Sequence, residues 1–452
     1  MDKIIALCKR RGFIFQSSEI YGGLNGAWDY GPLGSQLKKN IKDHWWRTMT
    51  QLRDDIVGLD GAILMNRAVW RASGHEETFN DPLVDCKVCK GRFRADQMGA
   101  TACPQKPSQT VGLGPDCQLT EPRSFNLMFK THAGAVESED NLVYLRPETA
   151  QAIFVQFRNV LDTARKKLPF GIAQMGKAFR NEINPRNFTF RSREFEQMEV
   201  EFFVKPGTGK EWLDRWLEDR LSWYEAIGIP RKKIHVLDVP ESDRAFYSQG
   251  TYDLEYEFPF GVQELEGIAY RTDYDLSRHQ EASGKPLDYF DEETKERYIP
   301  HVVEPSAGVD RTCLAVLCEA YAEEEVIDEK GNRDVRTVLR FAPSIAPIKV
   351  GIFPLLKNKP ELVAKAREVE RLLRPHMAVF YDEGGAIGRR YRRQDEVGTP
   401  FGVTIDFETI EGVIEGPMAG RLDTVTLRHR DSMQQERVAL EDLVPKLMTS
   451  IG

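Results

Sequence analysis

The chain has 452 residues, 41% of them hydrophobic and 10% aromatic, with 62 Lys and Arg against 70 Asp and Glu for a formal net charge of -8. That length suggests two or three domains and room to bury a large site, and the acidic balance leaves any nucleic-acid binding to local patches. No apolar run nears the ~20 residues of a membrane span, the start "MDKIIALCKRRGFIF" is too interrupted for a secretory signal, and the seven cysteines are few and odd in number, which argues against a disulfide framework and for a reducing, cytoplasmic setting.

The first predicted element is an amphipathic helix over residues 2 to 11, followed by the turn-rich "YGGLNGAWDYGPLG". A longer helix starts at Pro32, whose missing N–H costs nothing in a first turn. Leu33, Leu37, Ile41, Trp45, Met49 and Leu52 recur along it at helical spacing as one apolar stripe, which serves either the chain's own core or a subunit interface. Residues 85 to 122 crowd Cys, Gly, Pro and Thr with little periodicity, as an inserted module does. "RPETAQAIFVQFRNVLDTARKKL" reads as a helix with Pro147 at its start. From Phe170 to Phe203 the period becomes two, giving two strands around the polar loop "INPRNFT". A domain boundary is expected near residue 343, at the Pro-punctuated "FAPSIAPIKVGIFPL". Residues 343 to 452 then read as a compact α/β unit, after a first domain over 1 to 342.

The stretch 179 to 204, "FRNEINPRNFTFRSREFEQMEVEFFV", holds four arginines and five glutamates among Phe, Met and Val. Charges in strands this apolar are costly unless they are paired or used by a ligand. Arg180, Arg191 and Arg193 can grip a polyanion bidentately; a structural ion-pair ladder is the alternative. Phe190 and Phe195 offer either a stacking surface or core packing. Further on, "EPSAGVDR" puts Glu304 and Ser306 at the end of an apolar strand and Asp310 and Arg311 at the opening of an apolar helix. A helix start with an arginine in its first turn suits phosphate, and Asp310 is placed to serve as a cap. Two arginine-bearing anion sites flanked by carboxylates point to a nucleotide-using enzyme.

"FRNE" followed by "FRSREFEQME", with "GVDR" far downstream and "DYGPLGSQLKKNIKDHWW" upstream, resembles motifs 2, 3 and 1 of class II aminoacyl-tRNA synthetases. "RGFIFQSSEIYGG", "ASGHEETFNDPLVD", "LRPETAQ", "ELEGIAYRTDYDL" and "YRRQDEVGTPFGVTID" narrow the resemblance to the dimeric α2-type glycyl-tRNA synthetases, over nearly the whole chain. The resemblance implies an antiparallel six- to seven-stranded catalytic sheet flanked by helices, a homodimer through motif 1 with the Leu33–Leu52 stripe as interface candidate, and a C-terminal mixed-sheet α/β anticodon-binding domain. It implies activation of glycine by ATP with Mg2+, then transfer to the 3′ end of tRNA-Gly.

By the same resemblance Arg180 and Arg311 are the catalytic pair, at the α-phosphate and the γ-phosphate end, and Phe195 with Arg311 sandwiches adenine. Arg191 and Arg193 contact the β/γ-phosphates or position the loop, Glu182 lies near the adenine amino group or backbone, and Glu264 with Leu265 lines the ATP side within reach of Mg2+. Asn181, Phe190, Ser192, Glu194, Gly308, Val309 and Asp310 complete that ATP site. For glycine the resemblance gives Glu148, Glu304 and Ser306 around the ammonium and Cα, Arg271 and Arg94 close by, and Glu196, Gln197 and Glu199 as an acidic wall, with Phe195, Met198, Pro305, Ala307 and Gly308 alongside. A site for the smallest amino acid rejects the others by filling space, and no segment resembles an editing domain.

Three signals are weaker. Cys86, Cys89, Cys103 and Cys117 can hold structural zinc tetrahedrally or stand as the reduced thiols of a metal-free insertion. His75 reads as a loop hydrogen-bonder. Arg389, Arg390, Tyr391, Arg392 and Arg393 form either a solvated helix face or part of a tRNA surface, since Arg and Tyr stack on unpaired bases. The competing functions are a synthetase for another small amino acid and a non-catalytic tRNA-binding protein that kept the fold; Arg180 and Arg311 speak against the second.

Overall fold

The computed structural model of the chain describes residues 1–114, 117–245, 247–327 and 333–452. The period-two text becomes two long strands, Phe170–Phe179 and Glu194–Val204, joined by a loop with a 3-10 turn at Phe188–Phe190. They lie in a seven-stranded sheet of order Ile234–Asp238, Gly250–Phe258, Gly261–Thr272, His301–Gly308, Glu194–Val204, Phe170–Phe179, Ile56–Gly58. Every neighbouring pair is antiparallel except the last, where Ile56–Gly58 runs parallel to Phe170–Phe179.

Alternation along Glu194–Val204 sorts its side chains between two layers. Met198, Val200, Phe202 and Val204 enter the main core, beside Leu37 and Trp45 of helix Pro32–Trp46, Leu213 and Trp216 of helix Gly209–Ala226, and Leu314 and Leu317 of helix Val309–Ala320. Gln197, Glu199 and Glu201 face the other way. On that side helices Ala150–Ala164 and Tyr274–Ser283 supply Phe154, Phe157 and Leu276 to a second core with Phe170 and Phe203. The Phe157 and Phe203 rings lie 4.5 Å apart and seal the far end of the layer. Each such side chain, fully buried, contributes about 1.5–3 kcal/mol over leaving it exposed.

The apolar stripe on helix Pro32–Trp46 is used inside its own chain. Leu37, Ile41, Trp45 and Met49 are buried in the main core, and Leu33 packs against it. The interface expectation for this stripe is therefore corrected. Beyond Trp46 the backbone passes into a π turn over Arg47–Gln51, which changes the residues per turn and rotates the next position off the stripe; Leu52 is 65% exposed.

The last hundred residues fold on a separate five-stranded sheet of order Val379–Tyr381, Val350–Pro354, Phe401–Ile405, Thr424–His429, Gln435–Ala439. Its first three strands are parallel and the rest antiparallel, the expected mixed sheet. Helices Pro360–Leu373 and Leu440–Ile451 cover one face and share a core of Val350, Ile352, Val403, Val425, Leu362 and Leu443. Helix Ile387–Val397 lies on the side of the hairpin Tyr321–Ile327/Arg333–Leu339. Among the described residues no helix is long and apolar enough to cross a membrane.

Candidate active site

The loop after Phe170–Phe179, the strand Glu194–Val204, the end of His301–Gly308 and the start of Val309–Ala320 enclose one elongated cavity. One end is cationic. Arg180 donates from Nε to the Pro147 carbonyl at 3.1 Å and lies over the rings of Phe79 and Phe195. Among the described residues no carboxylate lies within ion-pairing distance of it. Arg311 donates from Nε to the Phe190 carbonyl (3.3 Å) and from Nη1 to that of Glu264 (3.1 Å), and rests on the Phe190 ring. Arg191 stands on the same lining with Nη1 buried and without a hydrogen-bond partner, 3.9 Å from Glu182 Oε2; that oxygen and Thr189 Oγ1 are likewise buried without a hydrogen bond. Burial, followed by the charges of Arg94, Arg186 and Arg311 against that of Glu182, holds the Arg191 guanidinium below its usual range. Unmet donors beside an excess of positive charge call for a polyanion, and an unmet Glu182 oxygen calls for a donor.

The other end is acidic. Arg271 grips Asp275 with two bonds (2.8 and 2.9 Å) and Glu304 with one (2.9 Å), under the ring of Tyr247 at 4.1 Å. Ser306 Oγ donates to Glu199 Oε1 at 2.7 Å, and Thr149 Oγ1 donates to Glu199 Oε2. Gln151 bridges Glu148 and Asp275, each at 3.0 Å. His75 Nε2 lies 3.3 Å from Glu148 and its Nδ1 2.8 Å from Ser73 Oγ. His75 is thus a hydrogen-bonder as expected, though its partner belongs to the site. The carboxyls differ sharply. Burial raises Glu148, but His75 and then Arg271 overcome it and hold the group well below the usual carboxylate range. Burial, with the charges of Glu304 and Glu148, pushes Glu199 far above it. Perturbed groups pushed apart in one cleft mark a functional site.

The structure brings together on this lining Arg180, Glu182, Phe190, Arg191, Ser192, Phe195, Gln197, Glu199, Glu264, Leu265, Arg271, Glu304, Ser306, Gly308, Asp310, Arg311 and Glu148. Other expected residues lie elsewhere, for reasons of strand alternation and pairing. Glu196 points to the opposite face, where burial is outweighed by Lys38 and then Lys42, which hold it at about 2. Met198, Ala307 and Val309 are in the main core, and Pro305 alternates away from the Glu304 and Ser306 side chains. Glu194 pairs with Lys177 at the surface, and Asn181 is off the lining. Arg94 pairs with Asp81 and Asp96 in the inserted module. Arg193 holds the carbonyls of Glu182 (3.2 Å) and Asn25 (2.9 Å), which is loop positioning. Asp310 is no cap: the N-cap is Gly308, and Asp310 accepts from Tyr30 Oη, Lys38 Nζ and the Glu196 N–H at 2.7 to 2.8 Å. Arg311 rests on the Phe190 ring, Phe195 lies under Arg180, and Phe195 and Arg311 both line the cavity. Tyr247, Thr189, Gly267 and Ala269 also line the cavity; nothing in their local text separates them from ordinary strand and loop residues.

In the inserted module the four cysteines pack around Val84, Phe93 and Val111, although among the described residues no three of their Sγ atoms lie within 4.8 Å of one another. Cys86 Sγ lies 4.0 Å from Cys117 Sγ. The Cys89 N–H above all, against burial, brings the Cys86 thiol down to about 7. A thiol turned toward backbone N–H groups and a second thiol is the donor set that a thiophilic metal takes. The C-terminal cluster divides by helical period. Arg390 is buried and donates to the carbonyls of Gly385 and Pro354, and Tyr391 Oη pairs with Thr404 Oγ1 at 2.6 Å, so both are corrected to structural roles. Arg389 is exposed, while Arg392 and Arg393 pair with Asp334 and Asp382.

A family model described as the tRNA synthetase class II core domain (G, H, P, S and T) matches residues 129–321. One described as an anticodon binding domain matches residues 349–449. The sheet and the core match together define a class II aminoacyl-tRNA synthetase. The glycine–tRNA ligase of Treponema denticola is 53% identical over 100% of this chain and 97% of its own length. Those of Thermobifida fusca and Clostridium perfringens are 51% and 52% identical over 98% of this chain, and over 96% and 97% of theirs. The chain belongs to the glycine–tRNA ligase family.

Proposed function

We propose that the two ends of this cavity divide the work of making glycyl-adenylate before transfer to tRNA-Gly. Supporting this reading is the arrangement of three guanidinium groups at one end and three ligand-free carboxyls at the other, with Phe195, Gln197 and Gly308 between them. Glycine's ammonium lies among Glu148, Glu199 and Glu304, with Ser306 beside them, and its carboxylate is directed at the α-phosphorus. Arg180 takes the charge that builds on the α-phosphate oxygens as pyrophosphate leaves. Arg191 and Arg311 hold the β/γ end, and the Glu182 oxygen that has no hydrogen bond accepts from the adenine amino group. In the transfer step a phosphate oxygen of the adenylate takes the proton of the tRNA 3′-hydroxyl.

Glu264, half-exposed and 3.3 Å from Arg311, would hold the Mg2+ that accompanies ATP. Asp253 lies near it, and burial followed by the charges of Glu264 and Glu255 pushes its carboxyl up to about 6. Cys86, Cys89, Cys103 and Cys117 would hold structural zinc. We divide the chain near residue 343 into catalytic and anticodon-binding domains, with Arg389, Arg392 and Arg393 on the tRNA side. The chain works as a homodimer in the cytoplasm, and Ile20 and Tyr21, 88% and 87% exposed on the loop before helix Pro32–Trp46, supply the apolar contact. Zinc content and the mass in solution of the purified protein test these two assignments.

The first test is ATP–pyrophosphate exchange with glycine, alanine, serine, threonine or proline and no tRNA. Exchange with glycine alone is expected. Comparable exchange with a larger amino acid would sink the steric reading of the acidic end.

A further inference from the structure

The acidic end holds more carboxyls than its cations can serve. Glu148, Glu199, Glu201, Glu304 and Asp275 cluster there, and Arg271 is the guanidinium bonded to them, already shared by Asp275 and Glu304. Arg146 faces Glu199 but donates to the carbonyls of Lys177 and Gly61. His75 is a further cation only when protonated. Glu199, Glu201 and Glu304 have oxygens within 4.8 Å of one another.

Glu201 is the anomaly. It is 0% exposed, and neither of its oxygens has a hydrogen-bond partner. The register that pairs Glu199 with Ser306 and Phe202 with Val303 sets it opposite Glu304. Like charges directly opposite on neighbouring strands repel, and a carboxylate buried without partners takes up a proton instead. The Phe170–Phe179 strand offers Gln174, His301–Gly308 offers Glu304 and Ser306, and Gly261–Thr272 offers Arg271. Glu148, Thr149 and Gln151 come from the start of Ala150–Ala164, Asp275 and His279 from Tyr274–Ser283, and His75 and Tyr247 from the flanking loops. His279 is bonded to Gln151 and burial holds it below its usual range, so it adds no dependable charge.

We propose that Glu199 and Glu201 carry protons in the empty site, and that glycine's ammonium enters by displacing the Glu199 proton to solvent while Glu201 remains a neutral acid beneath it. This rests on the reading that the ammonium lies among Glu148, Glu199 and Glu304. Charge balances: one positive charge arrives on the ammonium and one leaves as H+. Burial first, then the charges of neighbouring acids, pushes both Glu199 and Glu201 far above the carboxylate range; burial also raises Glu304 against the pull of Arg271, while Glu148 is held below the range. Glu148 is thus a standing anion and Glu199 the group that exchanges. Glu199 can ionise because Ser306 and Thr149 already donate to it, whereas Glu201 has no donor.

The sign follows from linkage. Protons compete with the ammonium, so affinity rises with pH, ~tenfold per pH unit for one proton displaced. The test is titration calorimetry of the full-length protein at neutral pH in two buffers of different ionisation enthalpy. The ligands are a non-hydrolysable glycyl-adenylate analogue and its hydroxyacetyl counterpart, which lacks the amino group. About one more proton should be released by the glycyl compound than by the hydroxyacetyl one. Glu199→Gln should bind the glycyl analogue more weakly and lose that extra release, while Glu201→Gln should keep it. Equal proton counts for the two ligands in the wild type would overturn the proposal, as would a release that survives in E199Q or disappears in E201Q. If E199Q does not fold, the wild type decides: the ratio of the two affinities must climb between about pH 6 and pH 8, and a flat ratio rejects the exchange. Equal affinity for the two ligands would instead reject the ammonium assignment itself.

Discussion

An arginine serves a nucleotide only if its guanidinium is held still without being neutralised. Arg180 meets both conditions, anchored through Nε on the Pro147 carbonyl and packed between Phe79 and Phe195. Its charge is available where phosphate charge develops, and such preorganised contacts act most strongly in the transition state. Arg180→Ala should lower kcat for glycine-dependent ATP–pyrophosphate exchange by about 10²–10³, some ~3–4 kcal/mol, with the fold intact by circular dichroism. An exchange rate within a few-fold of wild type would remove Arg180 from its place at the α-phosphate. Arg193 is the contrast on the same loop. Its bonds to the Glu182 and Asn25 carbonyls show that residue type alone does not separate a phosphate ligand from a loop clamp.

At the scale of elements, helix Pro32–Trp46 governs the site from behind the sheet. Lys38 Nζ lies 2.8 Å from both Glu196 and Asp310, and thereby ties this helix to the strand that carries Phe195 and to the helix that begins beside Arg311. Removing one member of a buried ionic triad leaves the others uncompensated, at a cost of about 3–5 kcal/mol. Lys38→Met should lower the unfolding midpoint clearly and raise KM for ATP more than it lowers kcat, because Arg311 loses its fixed base. If thermal melts and ATP kinetics of the variant both match wild type, the triad is dispensable. Much at this scale was legible beforehand. The switch from helical to period-two text located Phe170–Phe179 and Glu194–Val204, and "EPSAGVDR" located a strand running into a helix. Which face of a strand meets the ligand is set by pairing register, a long-range property. Glu196 and Glu199 look alike in the text, yet one faces Lys38 and the other the cavity. The short strand Gln435–Ala439 was not legible either, since only its last two residues are buried. Leu52 left its stripe because a π turn, which propensity does not announce, precedes it.

Across the whole molecule the two sheets are joined by a buried charge network. Asp395, on the helix that carries Arg389, Arg392 and Arg393, accepts from Arg336 of the hairpin Tyr321–Ile327/Arg333–Leu339 at 3.0 Å and from Arg428 at 2.8 and 3.1 Å. Arg336 reaches on to the Arg430 carbonyl (2.6 Å), Arg430 to that of Phe341 (2.8 Å), and the adjacent Glu396 pairs with Arg10 and Arg11 of the first helix. The cavity lined by Arg180, Arg311 and Glu304 contains none of these residues. A ligand that spans both sheets depends on their relative placement, whereas small substrates at one end do not. Asp395→Asn keeps the shape and weakens the tether, so it should leave glycine-dependent pyrophosphate exchange near wild type while reducing tRNA charging. Coupling through such a network is worth about 0.5–2 kcal/mol, roughly 2- to 30-fold in charging efficiency. Measuring both reactions on one preparation separates the possibilities. A parallel fall in both would mean general loss of folded enzyme, and charging that keeps pace with exchange would mean that Asp395 holds the hairpin together without setting the distance tRNA must span.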